Sequence, residues 1–140
     1  MYDRILIPTD GSDGSGAAVD SGVDLARHYD AAVYLLYVVD DDVYGHYAGV
    51  DAIENAESAL QERGERVLSA AADEADEVDV TTDLVRGHPH EAILAYADEA
   101  DVDLVVMGTE RHTGEYRRLL GSVTERVVRL SELPVHVVKA

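Results

Sequence analysis

The chain has 140 residues, 46% of them hydrophobic and none of them cysteine; this composition excludes a disordered chain, a disulfide scaffold and a thiolate metal site. Acidic residues outnumber basic ones by 29 to 11, for a formal net charge of −18, and no basic stripe favours nucleic acid as a ligand. No apolar run approaches the roughly 18 residues of a membrane span and no signal-peptide pattern opens the chain, so we expect a soluble cytoplasmic protein without membrane contact.

The basic residues are unusual in kind as well as number. Lys139 is the one lysine, and the other ten basic residues are arginine. A surface so acidic repels itself in dilute buffer, whereas molar salt shortens the Debye length to about 3 Å and screens most of that repulsion. The scattered acids therefore indicate a halophilic protein with a haloarchaeal-type composition. The alternative is an acidic surface that binds a basic partner.

The first part of the chain alternates apolar runs with a helical pattern. Ile5–Ile7 predicts a short buried strand that ends at Pro8-Thr9-Asp10, and a Gly/Ser/Asp turn follows. A helix is predicted from about Ser15 to Tyr29, with an inward face of Ala18, Gly22, Leu25 and Ala26. Val33–Val39 predicts a second strand, which is apolar on both faces, as a central parallel strand requires.

The same alternation continues to the last strand. After a polar loop over 40–51, a long helix carries one apolar face, made of Ile53, Ala56, Leu60, Val67 and Ala71. Apolar and polar residues alternate over 78–84, which predicts a strand at the edge of the sheet. His88-Pro89 opens a third helix. Residues 104–107 then predict a fourth strand, 122–130 a fourth helix and 135–138 a fifth strand.

This order, βαβαβαβαβ, predicts a single α/β domain over residues 1–140. We expect a doubly wound, Rossmann-like parallel sheet of five strands flanked by helices. Ligands of such sheets bind beyond the carboxyl ends of the strands, where the strand order reverses direction. The site residues should therefore lie just after Ile7, Val39 and Met107.

The segment from Gly108 to Ser122 is the most informative of these three places. It leaves a strand, carries Gly108, Gly114 and Gly121, and delivers Ser122 to the start of a helix. A helix N-terminus offers unpaired N–H groups and a positive dipole end, which favour phosphate. Alternatively, Ser122 and Glu125 form a capping box and serve only their own helix. The two interpretations are compatible, because a capped turn still presents free N–H groups.

Several segments together resemble the universal stress protein family over the whole chain. They are Ile5–Ser12, Gly87-His88-Pro89, Met107-Gly108-Thr109, Gly121–Val127 and Pro134–Val138. The resemblance implies the strand order 3-2-1-4-5 and a homodimer. It also implies binding of an adenine nucleotide, ATP, with Mg²⁺ as a possible companion.

The family's nucleotide motif is a glycine, two residues, a second glycine, nine residues, and then glycine followed by serine or threonine. In this chain the motif falls on Gly108, Gly121 and Ser122, but Arg111 occupies the place of the second glycine. Its side chain could crowd a phosphate, or its guanidinium could bind phosphate oxygens as a bidentate donor.

The nucleoside end of the site is carried over by resemblance. Asp10 would bond the ribose or the adenine, and Val38 would pack near the adenine. Without a ligand, Asp10 is a turn-forming residue before Gly11, and Val38 is part of the sheet core. The predicted nucleotide-binding residues are Pro8, Thr9, Asp10, Val38, Met107, Gly108, Arg111, Gly121, Ser122 and Val123.

No residue pattern indicates catalysis. The chain has no Walker lysine, His88 and His90 lack a third metal ligand nearby, and no residue is an evident general base. We therefore expect a nucleotide-binding stress-response module that regulates a partner and is not an enzyme. The alternative is a nucleotide-free dimeric stress protein that acts through protein–protein interaction.

The fifth strand predicts how the homodimer forms. Val135-His136-Val137-Val138 follows the last helix, and only Lys139 and Ala140 come after it, so nothing in the chain covers its outer edge. An uncovered edge strand invites pairing with another strand. Two-fold symmetry would set it antiparallel to its own copy.

Overall fold

The computed structural model describes residues 1–40, 50–109 and 120–139, with only the backbone described for residues 50–56. In chain order the elements are β1 (Arg4–Pro8), α1 (Asp13–Tyr29), β2 (Ala32–Asp40), α2 (Val50–Asp73), β3 (Val80–Gly87), α3 (Pro89–Glu99), β4 (Leu104–Gly108), α4 (Ser122–Leu130) and β5 (Val135–Val138). The strands form one parallel sheet in the order β3-β2-β1-β4-β5. The predicted doubly wound α/β fold is confirmed.

Helices cover both faces of the sheet, which explains why the central strands are apolar throughout. On one face Ile5 and Ile7 pack with α1 and α2. On the other face Leu6 packs against Ile93 of α3 and Val127 of α4. The side chains of Ile5, Leu6 and Ile7 are all fully buried. A two-sided core of this kind requires continuous apolar strands, whereas each helix contributes only one apolar stripe.

The strand order places β3 and β5 at the two edges of the sheet. The alternation over residues 78–84 therefore predicted the edge position of β3 correctly, although the strand begins at Val80. Thr81, Thr82 and Asp83 are exposed there, as an edge strand permits.

The start of α1 and the N-cap of α4 differ from the sequence prediction. Helix α1 begins at Asp13, because the Ser12 hydroxyl caps it by accepting the Ser15 N–H at 3.3 Å. Helix α4 has Gly121 as its N-cap, without a side-chain cap, and Ser122 is its first residue. The predicted capping box from Ser122 to Glu125 is therefore wrong, because Ser122 already lies within the helix. Among the predicted inward residues of α1, Leu25 is only partly buried.

Among the helices that the structure describes, none is long and apolar enough to span a membrane.

Candidate functional site

A crevice of about 310 Å³ opens at the carboxyl edge of the sheet, where the strand order reverses. From the end of β1 the chain continues to β2 on one side, and from the end of β4 it continues to β5 on the other side. The strand order therefore reverses direction between β1 and β4. The residues that line the crevice are Pro8, Thr9, Asp10, Ser12, Ser15, Leu36, Val38, Asp40, Pro89, Ile93, Met107, Gly108, Thr109, Gly121, Val123 and Thr124.

Most of the predicted nucleotide-binding residues meet in this crevice. They are Pro8, Thr9, Asp10, Val38, Met107, Gly108, Gly121 and Val123. Ser122 does not line it, because its side chain is exposed at the first turn of α4. Arg111 lies outside the described residues. The ends of β1, β2 and β4, where the sequence predicted the site, therefore contribute to one cavity.

Hydroxyl groups at the carboxyl end of β1 form a partly buried network centred on Ser15. Its Oγ accepts the hydroxyl of Thr9 at 3.1 Å and the backbone N–H of Asp10 at 3.3 Å. The same hydroxyl donates to the carbonyl oxygen of Ser12 at 3.0 Å. The Ser12 hydroxyl also lies within hydrogen-bond distance of this Oγ, at 3.4 Å. The network fixes the backbone at Asp10 to the first turn of α1.

The Asp10 carboxylate is held by the turn that follows it. Its Oδ1 accepts the backbone N–H of Ser12 at 2.9 Å, an Asx turn of the kind expected before Gly11. Partial burial acts to raise the pKa of this carboxyl, but hydrogen bonds from Ser12 and Ser15 outweigh it and hold the pKa below its ordinary value. Asp10 therefore presents a negative, oriented acceptor to the crevice at neutral pH.

Close backbone contact between α1 and β4 closes one side of the site. A Cβ added to Gly14 would lie 1.9 Å from the carbonyl oxygen of Thr109, and one added to Gly108 would lie 2.0 Å from the carbonyl oxygen of Gly14. Neither position has room for a side chain. Gly108 therefore has a packing role that is independent of any ligand, besides the phosphate role that its motif position predicts.

Helix α4 points its first turn at the crevice. The buried Thr124 hydroxyl donates to the carbonyl oxygen of Gly108 at 2.8 Å and ties this turn to the end of β4. Gly121 and Val123 line the crevice, and no side chain caps the helix. Uncapped N–H groups and the positive end of the helix dipole favour an anionic ligand group here.

Two comparisons with known proteins decide the family. A sequence model of the universal stress protein family matches residues 1–139. Universal stress protein MJ0531 of Methanocaldococcus jannaschii is 39% identical over 141 residues, which cover 99% of this chain and 83% of that protein. The chain belongs to the universal stress protein family.

Solved structures agree with this membership. The universal stress protein described here superimposes on the structure of MJ0577 from Methanocaldococcus jannaschii with a TM-score of 0.88 and 31% identity, covering 100% of this chain and 97% of the other. It also superimposes on a universal stress protein crystallised in complex with cAMP, with a TM-score of 0.75 and 28% identity, covering 99% and 98% of the two chains.

Sequence reasoning missed several residues of this universal stress protein's crevice. The residues that were not predicted include Ser12 and Ser15 at the start of α1, Pro89 and Ile93 on α3, and Thr124 on α4. Helical spacing already predicted an inward-facing Ile93, and N-cap preference could have identified Ser12. Nothing in the local sequence shows that Ser15 or Thr124 turns its hydroxyl toward another element.

Proposed function

We propose that this universal stress protein binds an adenine nucleotide in the crevice and acts as a regulatory module in a stress response. The observation that carries the proposal is the Asp10 carboxylate, fixed by Ser12 and Ser15 beside a wall that includes Leu36, Val38 and Ile93. An apolar wall suits a flat base, and an oriented carboxylate suits the hydroxyl or amino donors of a nucleoside. The relative crystallised with cAMP supports this class of ligand.

We propose that the phosphate groups lie at the opposite end, against the backbone of Gly108, Gly121 and Val123 and the start of α4 at Ser122. The uncapped first turn of α4 supports this orientation. ATP with Mg²⁺ is the specific ligand that we propose. Because Arg111 replaces the second glycine of the family motif, ATP binding here depends on whether that side chain contacts or obstructs the phosphates.

We propose binding without turnover. Within the described lining there is no histidine, lysine or cysteine, and the Asp10 carboxylate is already held by the Ser12 N–H. Occupancy of the crevice would then be the signal that a partner protein senses.

Calorimetric titration of the protein with ATP, with and without Mg²⁺, tests the proposal. Asp10→Ala should weaken binding by about 1.5–3 kcal/mol, the loss of one charge-assisted hydrogen bond, which is roughly a 10- to 150-fold rise in Kd. Asp20→Ala is the matched control, because Asp20 is exposed on α1 and does not line the crevice. Equal affinities for the two variants would remove Asp10 from the site.

The second candidate function is a nucleotide-free stress protein that acts only through protein–protein contacts. The replacement of the motif glycine by Arg111 favours it. Heat denaturation of freshly purified protein separates the two candidates, because a nucleotide-binding module releases adenine nucleotide and a nucleotide-free protein releases none.

We further propose that the chain works as one unit over residues 1–140, as a homodimer that pairs through Val135–Val138 in a salt-rich cytoplasm. The edge position of β5 supports the pairing. The net charge of −18 and the single lysine support the halophilic setting.

A further inference from the structure

The outer edge of β3, on the side away from β2, offers a row of backbone groups. The carbonyl oxygen of Asp79 accepts the N–H of Val33 on β2, and backbone direction alternates along a strand. Val80, Thr82 and Leu84 therefore direct their N–H and C=O groups away from β2. Within the described residues, no strand pairs with β3 on that side and no backbone hydrogen bond reaches these groups.

This outer edge is long and regular. Strand β3 spans eight residues, and each of them lies in register with a residue of β2, without a bulge. Sheets commonly protect an edge by shortening it, bending it with a bulge or placing proline in it. Residues Val80–Gly87 include no proline. The edge therefore has the geometry that accepts an added strand, a common mode of binding extended peptides.

The exposed side chains of β3 are polar. They belong to Thr81, Thr82 and Asp83, which follow one another in the middle of the strand. Threonine favours the strand conformation, and its hydroxyl remains solvated when the edge is unoccupied. An exposed apolar edge would aggregate, whereas a polar one can bind and release another strand. The composition of this edge therefore suits a reversible partner.

A recognition point for a cation lies at Asp83. The Tyr96 hydroxyl of α3 donates to its Oδ2, and the Tyr34 ring lies edge-on to that of Tyr96 with the centroids 6.5 Å apart. Burial and the Asp83 carboxylate raise the pKa of Tyr96, so the hydroxyl keeps its proton and remains a donor. Oδ1 of Asp83 makes no hydrogen bond with the described residues. An exposed carboxylate beside a tyrosine ring suits an arginine or lysine side chain.

The position of Asp83 in the ladder determines how it would meet an added strand. Its backbone faces β2, so in an antiparallel pair on the outer edge it forms a non-hydrogen-bonded pair, with the Cα atoms about 4.5 Å apart. Opposite charges at such a position stabilise the pair, and like charges destabilise it. The net charge of −18 also attracts a basic segment from a distance.

A second copy of the chain suits this edge less well. The proposed homodimer already uses β5, so self-pairing at β3 would link dimers into an open chain. We propose that the outer edge of β3 binds an extended segment of a partner protein as an added antiparallel strand, with an arginine or lysine opposite Asp83. The inference rests on the proposed function for the existence of a partner protein, but it requires no bound nucleotide.

The end of β3 lies beside the crevice. Gly87 pairs with Asp40, which lines the crevice, and Pro89 lines it two residues further along the chain. A strand bound along β3 therefore extends to the rim of the crevice. A partner in this position could contact both the fold and whatever occupies the crevice.

Titration of the full-length ¹⁵N-labelled protein with a synthetic peptide tests the proposal. The peptide is as long as β3, with threonine and valine alternating around one central arginine, and the matched control peptide has glutamate in place of the arginine. The solution contains about 1 M potassium chloride and no nucleotide, so long-range attraction is screened. We expect saturable shifts and slower hydrogen exchange at the outward N–H groups of Val80, Thr82 and Leu84, with smaller changes at Thr81 and Asp83.

The two peptides and one pair of variants test the role of charge. The arginine peptide should bind at least about threefold more tightly than the glutamate peptide. Asp83→Asn should remove this preference, whereas the control Asp20→Asn, on the exposed side of α1, should keep it. Equal binding of the two peptides to the wild type, no binding of the arginine peptide, or shifts centred away from β3 overturns the proposal.

Proline variants test strand addition. Thr82→Pro removes an outward N–H without touching the β2 ladder, so it should abolish peptide binding while thermal unfolding stays cooperative. If that variant fails to fold, an arginine peptide with proline beside the arginine replaces it, and this peptide should not bind to the wild type. Undiminished binding in either case overturns the added strand. A change of oligomeric state in Thr82→Pro identifies a second copy as the occupant and also overturns the proposal. None of these failures affects nucleotide binding in the crevice.

Discussion

The Ser15 hydroxyl of α1 accepts the backbone N–H of Asp10 at an Oγ–N distance of 3.3 Å, and this bond links the first helix to the end of the first strand. It holds the backbone of Asp10, whose carboxyl has a lowered pKa. The orientation of Asp10 in the crevice therefore depends on a residue five positions further along the chain.

Ser15→Ala should raise the pKa of Asp10 toward its ordinary value of 3.8, because the carboxyl loses one of the hydrogen bonds that lower it. Carboxyl ¹³C resonances followed through an acid titration measure this shift. Ser21→Ala, on the same helix and outside the crevice, is the control. An unchanged Asp10 pKa in Ser15→Ala would mean that the hydroxyl has no influence on the carboxylate.

The same network makes stability depend on pH in a defined direction. A carboxyl with a lower pKa in the folded than in the unfolded chain stabilises the fold above its unfolded pKa, and loses that effect as the pH falls through the folded pKa. The contribution of Asp10 should therefore be complete at neutral pH and decline progressively as the pH falls below about 4. Denaturant unfolding of wild type and Asp10→Asn across this range should converge in acid, and a constant difference would contradict the argument.

Gly14→Ala should destabilise the protein, because the added Cβ would lie 1.9 Å from the Thr109 carbonyl oxygen and the backbone must move. Overpacking of this kind costs about 1–3 kcal/mol or more. Gly16→Ala is a matched control on the same helix, with nothing within 4 Å of the added Cβ. It should gain up to about 1 kcal/mol from helix propensity. Equal unfolding free energies for the two variants would contradict the packing role.

Salt should raise the melting temperature. The net charge of −18 favours expansion of the chain in dilute buffer, and screening in molar potassium chloride removes most of that repulsion. Calorimetry at about 0.1 M and 2 M salt measures the effect, and sucrose at matched osmolality separates screening from solute exclusion. A melting temperature that does not rise with salt, or rises as much with sucrose, would contradict the halophilic interpretation.

Val137→Pro should separate the dimer without unfolding the protomer. The carbonyl oxygens of Pro134 and Val138 accept N–H groups of Val105 and Thr109, and backbone direction alternates along a strand, so the N–H of Val137 points away from β4. Light scattering in molar salt should show a monomer with a normal thermal transition. Val138→Pro is the contrast, since the backbone of Val138 faces β4 and its carbonyl accepts the Thr109 N–H. That variant should lose fold stability. A dimeric Val137→Pro protein would place the interface elsewhere.

The fold was predictable because each strand and helix carries its own periodic pattern. The fully apolar run at Val33–Val39 indicated a central strand, and the alternation before Leu84 indicated an edge strand. The end positions of β1, β2 and β4 then located the crevice, because parallel strands end on one side of the sheet. The strand order itself came from resemblance to the family.

The details that could not be predicted depend on contacts between distant parts of the chain. Gly108 is required by the approach of Gly14, which lies on another element. Ser122 has the sequence pattern of an N-cap, but Gly121 takes that position because the Thr124 hydroxyl fixes the first turn of α4 to the Gly108 carbonyl. Periodicity describes single elements, and it holds no information on how their ends meet.

The measurement that tests nucleotide binding in this crevice most directly is a ¹H–¹⁵N chemical-shift map of the protein titrated with ATP and Mg²⁺ in molar salt. We expect saturable shifts at Thr9, Asp10, Val38, Gly108, Gly121 and Val123, and unchanged signals along β3 at Thr81 and Asp83. No saturable change, or changes centred away from the ends of β1, β2 and β4, would contradict it.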